Sequence, residues 1–124
     1  EDGVTMNRDR VMADAKRDAL ARAKAGYQPP VPRELVPVGG ADTFATLSLG
    51  IHLAERGGRI TEHEGRIARL IARVLAGGDL PHRTTVSERH LLDLEREAFL
   101  KLCGEPKTLD RISYTLKTGK TLRN

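Results

Sequence analysis

The stretch ITEHEGRIARLIARVLAGG, residues 60–78, decides how the fold is read. Ile67, Leu70, Ile71, Val74 and Leu75 recur at i, i+3, i+4, i+7 and i+8, the spacing of one apolar helix face. Thr61 and Glu64 supply the S/T-x-x-E pattern, in which two side chains satisfy each other's amides at a helix start. Ile60 and Gly65 occupy the hydrophobic-staple positions, where glycine is a poor partner. Glu62 precedes Arg66 by one helical turn, the favourable order for an ion pair. Gly77 and Gly78 follow the pattern directly.

Working outward, the same periodicity returns. Residues 41–58, ADTFATLSLGIHLAERGG, carry Phe44, Leu47, Ile51 and Ala54 at helical spacing, and Gly57–Gly58 end the run. DLPHRTT reads as a loop. In TVSERHLLDLEREAFLKLCG, residues 85–104, Leu91, Leu94, Ala98 and Leu102 share a face that Leu92 and Phe99 broaden. Thr85 and Glu88 repeat the capping-box spacing, Glu97 and Lys101 can pair at i, i+4, and Gly104 stands at the helix end. EPKTLDRISYTLKTG then places Pro106 at a first helical position, Leu109, Ile112 and Leu116 on an expected inner face, and Gly119 at the stop. Near the start, Asn7 is a candidate cap and Gly26 a stop for a helix whose apolar face is Met12, Ala15, Ala19 and Ala23. Between them, QPPVPRELVPVGG packs four prolines and two glycines into residues 28–40 and reads as an extended connector.

No period-2 stretch exceeds a few residues. The expected fold is therefore all-α with about five helices and no sheet. Residues 1–27 form a first helical segment, 28–40 a Pro/Gly-rich connector, and 41–124 a compact helical module.

The bulk numbers agree with one modest domain: 124 residues, no Trp, two Phe and two Tyr, so any core must be aliphatic. The formal charge is +4 from 21 basic and 17 acidic side chains, with the signs interleaved. That is a solvated charged surface rather than a nucleic-acid arm. Cys103 is the single cysteine, so no internal disulfide can form, which suits a cytoplasmic protein. No apolar run approaches the ~18 residues of a membrane span. The opening EDGVTMNRDR holds an internal Met6, which fits a piece of something longer.

Catalytic and metal motifs are missing from the pattern. His63 lies between Glu62 and Glu64, but neighbours on a helix diverge, so it reads as a surface residue in a first turn. H-E-x-x-H fails at Ile67, and His52, His82 and His90 have no helical partner histidine at i, i+4, so no metal site is expected. Cys103 beside Leu102 reads as a small buried hydrophobe. The glycine pairs build neither a phosphate loop nor a dinucleotide fingerprint, and no nucleophile–base set has context. The residues alone describe a helical module with no catalytic residue. A stand-alone interaction or nucleic-acid-binding module is the alternative on that footing.

SERHLLDLEREAFLKL, EPKTLDRISYTLKTGK and the closing LRN, supported by ITEHEGRIARLIARVLAGGD and AGYQPPVP, resemble the C-terminal end of bacterial 3-hydroxyacyl-CoA dehydrogenase/enoyl-CoA hydratase fusions of fatty-acid β-oxidation. The resemblance covers nearly the whole chain. It implies a parent enzyme that hydrates a trans-2-enoyl-CoA in a crotonase-type half and oxidises the product with NAD. The oxyanion amides, hydratase acids and dinucleotide glycines would all lie upstream, so this chain alone is expected to be inactive and to hold no cofactor. Its implied partner is the upstream crotonase core, with self-association through subunit contacts. In simpler members of the fold, an aromatic and a lysine three residues apart approach the CoA nucleotide. Tyr114 and Lys117 match that spacing and are the expected CoA contacts, a ring for adenine and an ammonium for phosphate.

Overall fold

The computed structural model describes residues 3–124. Five helices run in the order α1 (Val11–Lys24), α2 (Gly40–Arg56), α3 (Glu62–Leu75), α4 (Glu88–Cys103) and α5 (Pro106–Thr118). Two three-residue strands, β1 (Val36–Val38) and β2 (Thr84–Val86), precede α2 and α4. The chain divides into two compact units, the first ending at Val31 and the second spanning Pro32–Asn124.

In the first unit, Asn7 caps a single 3-10 turn, Arg8–Arg10, by accepting from the Asp9 amide at 2.9 Å. α1 continues from it and ends where Gly26 turns left-handed, with the Tyr27 amide reaching back to the Arg22 carbonyl at 3.1 Å. No residue of α1 is buried, and Met12 of its expected apolar face is exposed.

The second unit corrects the expectation of no sheet. β1 and β2 pair antiparallel, with Val36 opposite Val86, Pro37 opposite Thr85 and Val38 opposite Thr84. Val and Thr favour this pleated conformation. Each strand of a two-stranded ladder also has a free edge, where the missing donor of Pro37 is tolerated. The connector is thus partly regular, and its backbone is further tied down. The Arg33 amide donates to the Glu88 carboxylate at 3.1 Å, and the Glu88 amide donates to the Arg33 carbonyl at 2.7 Å. Because Thr85 is spent in β2, the expected Thr85–Glu88 capping box does not form. Ser87 caps α4 instead, its hydroxyl accepting from the His90 amide at 3.2 Å.

α3 packs between α2 and α4. The buried apolar residues are Val38, Ala72, Ala76, Leu94 and Ala98, so helices meet through small side chains. The larger apolar stripe of α3 is only half covered: Ile67, Leu70 and Val74 are half-buried, while Ile71 and Leu75 are exposed. Leu91, Leu94, Ala98 and Leu102 do turn inward from α4, whereas Leu92 and Phe99 stay out. At the end of α3, Gly77 and Gly78 both take positive φ, and their amides close the helix onto the Val74 and Arg73 carbonyls. A Cβ on Gly77 would stand 2.6 Å from Val38 Cγ2, so only glycine lets the strand pass this close.

α5 reverses its expected face. Thr108 is buried and Arg111 half-buried, while Leu109, Ile112 and Leu116 point to solvent, Leu116 with 83% of its surface exposed. The polar side docks because α3 offers it polar partners. Gly104 ends α4 with right-handed φ of −79°, and Gly119 ends α5 in the left-handed region.

Candidate functional site

An open cleft of about 490 Å³ runs along α3. Arg66, Arg69 and Arg73 project into it from successive turns of that helix, Phe44 of α2 forms an apolar wall, and Glu105 and Lys107 enter from the start of α5. Each arginine already faces a carboxylate. Arg66 pairs with Glu105 rather than with the expected Glu62. Arg69 forks onto Glu55, one arm at 3.0 Å. Arg73 forks onto Asp79 at 2.7 and 3.0 Å, with Glu97 at 3.4 Å. Donating to these carboxylates raises Arg69 and Arg73 above the ordinary guanidinium value, and Arg73 holds the Asp79 carboxyl below its own. The Glu55 carboxylate lies over Gly65, where a Cβ would stand 1.8 Å from its oxygen and would push that side chain aside.

His63 corrects the surface reading: it is 4% exposed and lies beneath this cleft. Its Nε2 is 3.1 Å from the buried Thr108 hydroxyl, and its Nδ1 is 3.6 Å from a Glu105 oxygen. With the Nδ1 proton toward Glu105, Nε2 accepts from Thr108. This carboxylate–imidazole–hydroxyl row joins the N-terminal turns of α3 and α5. The partner residues stand 45 positions apart along the chain, so spacing within either helix gave no sign of it.

The end of the chain returns to the same turn of α3. Thr61 and Glu64 form the expected reciprocal capping box. Arg123 then donates to both Glu64 oxygens, at 2.9 and 3.0 Å, and to the Arg59 carbonyl at 3.0 Å. The Thr61 hydroxyl donates to the main-chain oxygen of Asn124 at 3.0 Å, and Arg111 binds the Asn124 side chain at 2.8 Å. The Arg123 hydrogen bond, followed by the Thr61 amide, pulls the Glu64 pKa down to about 2. Sequence periodicity missed this contact because residues 120–124 lie beyond the last helix.

Tyr114 and Lys117 are both exposed on α5 and are not among the residues lining the α3 cleft. Cys103 is half-buried, less enclosed than expected. Among the described residues, no group of three His, Cys, Asp or Glu could hold a metal ion, and no helix is long and apolar enough to cross a membrane. The cleft is a charge-balanced groove suited to binding, with no nucleophile exposed on it.

Comparison with known proteins supplies a stronger signal than this geometry. Over 123 residues, 99% of its length, the chain is 43% identical to "Probable 3-hydroxyacyl-CoA dehydrogenase" of Bacillus subtilis (strain 168). It is similar to one segment of a dehydrogenase. That segment is 16% of the relative's length, so most of the relative has no counterpart in this chain. No protein-family model and no solved structure matches.

Proposed function

We propose that the chain is the helical C-terminal part of a 3-hydroxyacyl-CoA dehydrogenase fused to a crotonase-type enoyl-CoA hydratase, an enzyme of fatty-acid β-oxidation in the cytoplasm. The observation that carries this reading is the identity of 43% across 99% of the chain to a protein named as a probable 3-hydroxyacyl-CoA dehydrogenase. The hydratase half rests on the resemblance alone, carried by residues 87–102, 105–120 and 122–124 and supported by residues 25–32 and 60–79. In this reading, NAD and the acyl-CoA thioester bind elsewhere on the polypeptide. The present residues complete the hydratase half by packing against it, and Tyr114 and Lys117 border the CoA nucleotide.

Each arginine of the α3 cleft is already paired with a carboxylate, which fits a supporting part. The test is an assay of the complete polypeptide and of the 124-residue chain. The complete protein is expected to reduce NAD with a 3-hydroxyacyl-CoA and to hydrate crotonyl-CoA, and the chain alone to do neither. Hydration lost but dehydrogenation kept would remove the hydratase half of the proposal. Turnover by the chain alone would remove the supporting role. In the complete protein, Tyr114→Ala and Lys117→Ala should each raise KM for the acyl-CoA several-fold, and unchanged KM in both would remove the CoA contact.

A further inference from the structure

The second unit leaves its larger aliphatic side chains without an interior. Its buried apolar set is one valine, one leucine and three alanines, and no large side chain is fully enclosed. Between α3 and α4, however, lies an apolar groove of about 340 Å³. Ala98 and Ile67 form part of its lining, and Ile71, Leu75 and Phe99 rise from it with 53%, 60% and 57% of their surfaces exposed. Glu95 is the one charged residue along it. Scattered exposed aliphatics are ordinary, whereas a contiguous groove of them is the kind of surface that partners and ligands use.

We infer that this groove is an intramolecular docking surface, filled by an aliphatic ridge from the remainder of the same polypeptide. The inference rests on the proposed function, because it needs a longer parent chain. Length decides the occupant. The relative matched here is about six times the length of this segment, so a parent chain of that size has ample polypeptide to supply the ridge. A tethered partner also acts at an effective concentration in the mM range, far above that of a second copy in solution. The groove offers a partner shape and apolar contact but almost no charge. That suits a permanent contact resembling a domain interior rather than a transient, electrostatically steered one.

The test places a photo-crosslinking p-benzoyl-phenylalanine in the complete polypeptide, singly at Ile71, at Phe99 and, as a control, at Lys101 on the other side of α4. Irradiated samples are separated by denaturing electrophoresis and the linked peptides sequenced by mass spectrometry. At positions 71 and 99, cross-links within one chain to peptides outside this segment are expected, at least ten-fold above the yield at 101. Cross-linked dimers in their place would assign the groove to a second copy and overturn the inference. Yields no higher than at 101 would mean an open groove and overturn it as well. Dehydrogenase activity is measured on the same samples. An active enzyme with an open groove rejects the docking surface alone, whereas a complete polypeptide without that activity rejects the parent reading itself.

Discussion

Glu64 carries three duties in one carboxylate: it closes the capping box, receives Arg123 and stands 3.9 Å from Arg111. Its pKa is depressed from 4.5 to about 2, so the carboxylate is favoured in the folded chain. A lowered folded value gives stability that is present above pH 4.5 and drains away as pH falls toward 2. Arg123→Ala should raise the Glu64 pKa toward its ordinary value, with the Thr61 amide and Arg111 still holding it down, lower Tm at pH 7 and flatten the acid limb of the stability curve. A carboxyl NMR titration of Glu64 with melts at several pH values checks both effects. A Glu64 pKa unmoved by the substitution would show that the arginine does not set it. His63 makes a second residue-scale case. His63→Ala leaves a cavity and an unpartnered Thr108 hydroxyl, and should cost about 2–4 kcal/mol in urea unfolding. These two side chains divide what a sequence can convey. The Thr61–Glu64 box was legible because its partners are three residues apart. The burial of His63 was not, because a turn of helix does not reveal which distant helix will lie across it.

At the scale of elements, periodicity located helices better than it located their inner faces. Pro106 and Gly119 bracket α5 as expected, yet its apolar side is outward. Hydrophobic spacing marks a helix face without saying what covers it, and here Leu109 and Leu116 stay exposed while Ile112 is 37% exposed. The strands escaped notice for a different reason: three residues cannot display a period, and Pro37 reads locally as a breaker. Their pairing depends instead on the turn after α3. Gly77→Ala would force a side chain into both a positive φ and the 2.6 Å approach to Val38. A loss of about 2–4 kcal/mol is expected, with the β1–β2 amides losing exchange protection before those of α2. Urea titration and amide exchange on the same variant would separate the two effects.

Across the whole molecule, stability should be unevenly shared. α1 buries no residue, and a 14-residue helix without tertiary cover is marginal in water. Its amides should exchange at least a hundred-fold faster than those of α3, which hydrogen exchange by mass spectrometry reads directly. Comparable protection in both helices would mean that α1 has a partner surface of its own. The boundary between the two units, after Val31, falls inside the proline-rich stretch. What that stretch concealed was the way Arg33 and Val36–Val38 belong structurally to the second unit. The clasp of Arg123 on Glu64 also has a consequence in time. The two residues are 59 positions apart, so α3 leaves the ribosome with its local capping box but without the Arg123 clasp. At ordinary synthesis speeds the wait is roughly 3–12 s. Through that interval the capping box and the packing of α2 and α4 must hold α3, and the arrival of residues 123–124 adds the last clasp.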